Sequence, residues 1–410
     1  MRKYFILAAF VLLGGLALAQ QLAEESFVIN VEVPVRVFKG NRFIDDLTIA
    51  DFEITEDGRP QKLEAVYYVK KRSVERRDEL KRFVPQTNRN FYLFFEISEY
   101  TAKLGQALEG FIHDVIMPGD ILTIVTPMKT YRLKARAFEI RSRDEISEQV
   151  KSLLRRDAGI GNSEYNNIIA DLEDLSRAMI EAMSKQLNAQ NDFVLETITV
   201  MEYKDTSIDE LLTRYTQTLK RLEQLRAMDE QQLLNFAQVL KTDPGQKYVY
   251  LFYEREFIPR IDPKILTVYS EMYQDRPDIL QSFSDVFGFY RRESSFNVAR
   301  LREAYADASI AIHFLLIAKP PKTTPGLQYK EQSDDIFSTF QEMTQATGGF
   351  SEASQNPVQL MKDAVEASES YYLLYYTPRP YQKDGKFHAI SVKVKGKDYR
   401  IAHRQGYYAN

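Results

Sequence analysis

The residues best placed for chemistry are Glu96, Ser98, Glu99 and Tyr100, because they follow directly on the apolar run Phe91-Tyr92-Leu93-Phe94-Phe95. A run of about five apolar residues between polar flanks suits a strand buried on both faces of a parallel sheet. Ligands of such sheets bind beyond the carboxyl ends of the strands, so carboxylates and a hydroxyl at this corner predict a site there. A second polar corner, Glu254-Arg255-Glu256, follows the strand-like run Lys247 to Tyr253. Two structural roles compete with a site. Ser98 suits the N-cap of the helix that follows, with Glu96 near the helix's positive end. Arg255 suits either a solvated ion cluster with its flanking acids or a salt link to Glu96.

Other chemistries find no support in spacing. The four histidines, His113, His313, His388 and His403, are scattered, and none shows the His-x-x-x-His spacing of a metal site. No Gly-x-Ser-x-Gly elbow, phosphate-binding loop or dinucleotide fingerprint occurs, and Gly159-Ile160-Gly161 follows a predicted helix and not a strand. The 58 acids offer many carboxylate pairs, so their presence alone selects nothing. The expectation is a chain with no catalytic centre and no cofactor.

With 410 residues, 44% of them hydrophobic and 27% charged, the chain is long enough for several domains around ample buried core. A net charge of -4 and the lack of a long Lys/Arg block argue against nucleic acid as a partner. Arg2 and Lys3, the apolar stretch Tyr4 to Leu16 and the small residues Ala17-Leu18-Ala19 read together as a signal peptide over residues 1–19. That apolar stretch is short for a membrane span, and no cysteine follows the cut to carry a lipid. The mature chain is expected to start near Gln20, to be exported to the periplasm or beyond, and to keep no transmembrane anchor. The absence of cysteine means no disulfide framework and no thiolate metal site.

The elements that must hold the two corners follow from pattern. Residues 20–70 predict a small β-domain. Val28 to Val37 alternates with period two, Thr48 to Phe52 suits one turn of helix, and Asp57-Gly58 marks a hairpin. Residues 71–89 are charged and weakly patterned and read as a linker. Residues 90–350 alternate strands with helices, which implies a doubly wound, mostly parallel sheet. The strands fall at Phe91 to Phe95, Ile121 to Val125, Lys247 to Tyr253 and Ser309 to Ile317, with an edge strand from Lys129 to Phe138. Helices are expected at Ala102 to Met117, at Asp144 to Leu154, through most of residues 262–308, and at Asp334 to Ala346 with Gly348-Gly349 as its stop. Residues 163–241 interrupt the rhythm with two apolar stripes at helical spacing, read as a helical hairpin, and Phe193 to Met201 fits either strand or helix. Residues 365–410 return to strands, the last from Tyr399 to Tyr408, and are expected to pair with the N-terminal β-domain into one β-sandwich-like unit.

The corner Glu96-x-Ser98-x-Tyr100 resembles the Asp-x-Ser-x-Ser loop that follows the first strand of a von Willebrand factor A domain. Further phrases are similar, in order and spacing, to the exported bacterial VWFA-related domain proteins of acidobacterial type. They are Asp51 to Gln61, Gly245 to Val249, Ala346 to Gly349, Tyr371 to Pro378 and Arg404 to Tyr408. The resemblance covers nearly all of the mature chain except the helical insertion. It implies an α/β fold that is von Willebrand factor A-like, or more broadly Rossmann-like, and an exported compartment.

In A domains that bind metal, Mg²⁺ is held by that Asp, two serines, a threonine and an Asp after the fourth strand. Mg²⁺ demands near-octahedral oxygen ligands at short distance. Glu96 is one methylene too long for this, the rigid phenol of Tyr100 cannot fold back onto the same ion, and Arg255 brings a positive charge to the fourth-strand corner. The helical insertion occupies the region of the threonine, and Ser163 in Gly161-Asn162-Ser163 is the nearest candidate for it. The resemblance thus implies a degenerate metal-ion-dependent adhesion site at Glu96, Ser98 and Tyr100, with no cofactor. The function expected is a non-enzymatic protein-binding or scaffold module, in envelope assembly or adhesion. Its candidate partner surface is Glu96, Ser98, Glu99, Tyr100, Glu254, Arg255 and Glu256. The alternatives are a divalent-metal-dependent adhesion module that holds Mg²⁺ through the altered ligands, and an exported hydrolase.

Overall fold

The computed structural model describes residues 29–40, 42–134, 136–188, 203, 206–226, 229–271, 273–289, 297–396 and 398–409. The signal peptide expected at residues 1–19 and the stretch Phe193 to Met201 lie outside these residues.

The described chain opens on six strands: β1 (Val31–Lys39), β2 (Arg42–Phe43), β3 (Phe52–Glu56), β4 (Arg59–Gln61), β5 (Leu63–Lys70) and β6 (Ser73–Glu79). In β1 the valines at 31, 33, 35 and 37 all point into a core, as a period-two pattern requires. Asp57 and Gly58 both take positive φ, 49° and 77°, which lets a two-residue turn close β3 onto β4 with Glu56 opposite Arg59. A single 3₁₀ turn, Ile49–Asp51, precedes β3. The linker expected at residues 71–89 is corrected here: Ser73–Glu79 is a strand, paired antiparallel with β5. Its side chains Glu75, Arg76, Arg77 and Asp78 hide the strand from an apolar pattern, and charges suit an outer strand because they discourage pairing with another chain.

The α/β unit holds β7 (Arg89–Glu96), β8 (Ile121–Val125), β9 (Thr130–Leu133), β10 (Gln246–Glu254), β11 (Phe257–Ile261), β12 (Ile310–Ile317), β13 (Leu327–Glu331) and β14 (Ser351–Ser354). As the alternation of strands and helices predicts, this is a mixed α/β architecture. Its main sheet runs β14-β12-β10-β7-β8-β9, with β9 alone antiparallel to its neighbour. Both faces are covered. Phe91, Leu93 and Phe95 pack with the helices Ala102–Gly110, Arg143–Gly161 and Pro357–Glu369. Tyr92, Val249 and Leu251 pack on the other side with the helices Glu230–Thr242, Val298–Asp307 and Asp334–Thr347. The edge strand ends at Leu133 and a short helix, Ala137–Ile140, takes up the rest of the stretch expected to be extended.

Residues 163–241 form three helices instead of two among the described residues: Ser163–Asn188, Ile208–Arg226 and Glu230–Thr242. The first two pack Leu172, Leu175 and Met179 against Leu212, Tyr215 and Leu219, and this core continues into Ile258 and Ile261 of β11. The third belongs to the sheet. Two glycines fix the passage from helix Asp334–Thr347 to β14. Gly348 ends the helix with φ of 70°, and a Cβ on Gly349 would lie 1.6 Å from the carbonyl oxygen of Ile312.

Strands from the end of the chain, β15 (Ser370–Tyr376), β16 (Phe387–Val394), β17 (Arg400–His403) and β18 (Gly406–Tyr408), pair with those from its beginning. One sheet runs β17-β1-β15-β5-β6 with β2 on β1, and the other β18-β16-β3-β4. They enclose Val33, Val35, Ile54, Tyr372, Leu374 and Val392 in a common core. The single strand expected from Tyr399 to Tyr408 is therefore two, and the break at Arg404-Gln405 hands the chain from one sheet to the other. This β unit is tied to the α/β unit by Arg36, which donates to the Gly348 carbonyl at 3.0 Å, and by the Tyr408 amide, which donates to Asp307 at 2.8 Å. At the foot of β7 the buried Arg89 donates to Asp120 and, at 2.9 Å, to the Val115 carbonyl.

Candidate functional site

β7 and β10 are neighbours with Glu96 opposite Tyr253, so the two polar corners read from sequence meet at the carboxyl ends of these strands. Numbered from β7, the six strands run 3-2-1-4-5-6, and the order reverses between β7 and β10. That reversal is where crevices open in doubly wound sheets. Here the crevice is filled by its own side chains. The buried Glu254 carboxylate accepts the Ser98 amide at 2.8 Å and also the Ser98 hydroxyl. Lys319 lies 3.4 Å from Glu254 and 2.8 Å from Glu99. Burial pulls the Lys319 ammonium down, but these two carboxylates outweigh it and hold the lysine above its ordinary range.

Two roles assigned from sequence, the Ser98 cap and the Arg255–Glu96 link, are corrected by this geometry. The N-cap of helix Ala102–Gly110 is Thr101, whose hydroxyl accepts the Leu104 amide at 3.2 Å; Ser98 is turned to Glu254 instead. Arg255 does not reach Glu96. It pairs with Glu331 at 2.9 Å, because successive side chains of an extended segment point to opposite sides. The cation beside Glu96 is Arg226, at 3.9 Å, from the last turn of helix Ile208–Arg226. Tyr100 leaves the corner altogether. Its hydroxyl occupies the space a Cβ on Gly105 would need, 2.1 Å away, and Arg155 lies 4.8 Å above its ring. Ser163 is exposed at the start of its helix.

Arg226 is the residue that sequence reasoning missed. It forms an ion pair with the buried Glu256 at 3.0 Å and stands 4.4 Å over the ring of Tyr165. No local pattern could reveal this, since its acidic partners lie at positions 96 and 256. Glu96 keeps 45% of its side-chain surface, and that surface lines a cavity of about 420 Å³ between the sheet and its covering helices. Enclosure there raises the Glu96 pKa, the like charge of Glu256 adds to the effect, and Arg226 opposes it.

The histidines occupy unrelated places. His313 is fully buried in β12, stacked 4.7 Å from Tyr250, and burial with the Arg36 charge nearby holds its pKa well below the ordinary value. His113 meets Asp144 at 3.1 Å, and His403 lies beside the Arg404 carbonyl at 2.8 Å. His388 bridges two turns, with Asp57 at 2.8 Å on one ring nitrogen and Asp384 at 3.1 Å on the other, Glu56 at 3.7 Å and the Tyr407 ring stacked at 5.8 Å. Among the described residues no group of three or more His, Asp or Glu side chains is placed to hold a metal ion. No protein-family model, curated protein or solved structure matches the chain.

Two outcomes are expected. Replacing Arg226 with Met leaves Glu256 buried without its cation and should cost about 3 kcal/mol in urea unfolding. Arg255→Met removes a half-exposed pair and should cost below about 1 kcal/mol. Equal losses would contradict the assignment. For His388, burial lowers the pKa, but Asp384, Asp57 and Glu56 outweigh it and the pKa is raised. The folded state therefore holds this proton more tightly than the unfolded chain does. The resulting stabilisation is complete below the ordinary pKa and is lost as pH rises through the folded value. The stability difference between wild type and His388→Gln should be larger at about pH 5.5 than at about pH 8.5, measured by urea unfolding at both.

Proposed function

We propose that this chain is a non-enzymatic, exported binding or scaffold module. On this reading the α/β unit is an A-type domain that engages a protein partner through the top of its sheet without a metal ion. The observation that carries the proposal is the closure of the Glu96–Tyr100 corner by the molecule itself. Ser98, the one position that keeps the ligand type of a metal-binding A domain, gives both its amide and its hydroxyl to Glu254. Tyr100 packs on Gly105, and Lys319 brings a positive charge to the carboxylates. A divalent cation at this corner would have to displace these bonds and sit beside an ammonium group, with fewer oxygen ligands than Mg²⁺ requires.

The 3-2-1-4-5-6 order and the cover on both faces support the A-type reading, as they would any doubly wound sheet. A protein partner is supported by the loops around the corner. Met128 and Ile160 expose 42% and 54% of their surface, and Gly161 beside Ile160 comes close enough to Pro127 and Met128 that a Cβ would lie 2.8 Å from Pro127. Exposed apolar side chains together with exposed charges such as Glu99 and Arg156 are the composition of an interaction surface. No helix among the described residues is long and apolar enough to cross a membrane.

The test is a melting curve of the protein with EDTA and with excess Mg²⁺. A ligand that binds only the native state raises the melting temperature. The two curves are expected to coincide; a rise with Mg²⁺ that Ser98→Ala abolishes would replace this proposal with a divalent-metal-dependent adhesion module.

A further inference from the structure

The cavity beside Glu96 has the size and lining of a small-molecule site. Its volume of about 420 Å³ falls in the range of pockets that enclose drug-sized ligands. It lies beside the closed corner, on the sheet face formed by Phe94, Leu251 and Tyr253 and under the helices that carry Phe236, Tyr305 and Phe340. Phe94 and Phe236 meet edge to face with their ring centres 5.0 Å apart. The polar groups collect at one end. Asp229 and Gln232 are exposed at the rim, and Glu96 and Arg226 stand where the β7 strand ends.

The charges at that end are unequal. Arg226 is engaged by Glu256 at 3.0 Å and by the face of Tyr165. Asp229 already accepts the Gln231 and Gln232 amides as the cap of its helix, at 2.8 and 3.2 Å. Glu96 differs from both. Among the described residues its carboxylate accepts no hydrogen bond, and Arg226 at 3.9 Å is the single cation within ion-pair distance. Two carboxylates, Glu96 and Asp229, thus line the cavity with one guanidinium that Glu256 already engages. An acidic ligand would meet this excess of negative charge. A neutral apolar ligand would fill the space and leave the Glu96 carboxylate with no closer partner than Arg226 at 3.9 Å.

We propose that this cavity binds a small organic amine, whose protonated nitrogen pairs with Glu96 and whose apolar body fills the space among Phe94, Phe236, Tyr305 and Phe340. Each part of the site acts on one part of such a ligand. The apolar walls supply burial. The aromatic faces attract a cation. The carboxylate gives a charge-assisted hydrogen bond, which is stronger at the edge of a low-dielectric cavity than in open water. The signature of the proposal is therefore a preference for the ammonium head over neutral and acidic heads on the same body.

Three probes with one body and three heads test it by calorimetric titration: phenylbutylammonium, phenylbutanol and phenylbutanoate. The ammonium should bind tightest, at least about tenfold above the alcohol, and the carboxylate weakest. Glu96→Gln should bring the ammonium down to the level of the alcohol and leave the alcohol unchanged. Leu233→Trp, which places a larger side chain in the cavity wall, should weaken all three. Melting curves of both variants confirm that they are folded. Carboxylate binding as tight as ammonium binding, binding of none of the three, or an ammonium preference that survives Glu96→Gln would each overturn the proposal.

Discussion

The ion pair between Arg226 and Glu256 is the contact on which the upper end of the sheet depends. β10 is buried along its whole length, and the chain leaves it through Glu254 and Glu256, both of which stay buried past the strand or at its last residue. A carboxylate in that position is costly to bury unless a cation and hydrogen bonds replace the water it has lost. Glu254 is served by Ser98 and Lys319, and Glu256 by Arg226. The second of these solutions comes from the end of helix Ile208–Arg226, inside the segment that interrupts the strand-and-helix rhythm. The helical insertion is therefore joined to the sheet electrostatically as well as through its apolar contacts with β11.

This constraint explains why the corner that looks most like a ligand site is occupied by the protein's own groups. Open metal sites keep coordination positions for solvent or ligand, and their donor oxygens are not spent on amides and hydroxyls of the same loop. Ser98 and Glu254 spend theirs on each other. The neighbouring Glu96 is the exception. It stands on the same strand end, but its side chain turns to the opposite side of the sheet from Phe95 and enters the aromatic cavity. One strand end thus presents two faces: a closed polar corner above, and an apolar cavity with one underused carboxylate beside it.

The parts of the fold legible in sequence are those fixed by local pattern. Phe91 to Phe95 and Tyr248 to Tyr253 announce buried strands because a doubly covered strand needs apolar residues on both sides. Asp57-Gly58 announces its hairpin because both positions require positive φ, and the stop at Gly348 follows for the same reason. β6 escapes because Ser73–Glu79 has a single apolar residue, Val74, and an edge strand can be held by backbone hydrogen bonds to β5 alone. Tyr399 to Tyr408 reads as one strand because no Pro or Asp-Gly turn interrupts it, while the exchange of sheets at Arg404-Gln405 is decided by partners far away in sequence. The site was legible only as a place. That Glu96, Ser98 and Glu254 converge follows from strand order, but which cation serves which acid does not. Arg255 is adjacent to the acids in sequence and faces Glu331, whereas Arg226 arrives from a helix that no spacing rule connects to them.

The most direct measurement of how the upper end of the sheet is held is a double-mutant cycle on Arg226 and Glu256, with Arg226→Met, Glu256→Gln and the pair compared in urea unfolding. The two residues are predicted to be coupled by about 1–3 kcal/mol, the double variant being less destabilised than the two single losses together. Additivity within about 0.5 kcal/mol would contradict the account, because it would mean that the upper end of the sheet is held without this pair.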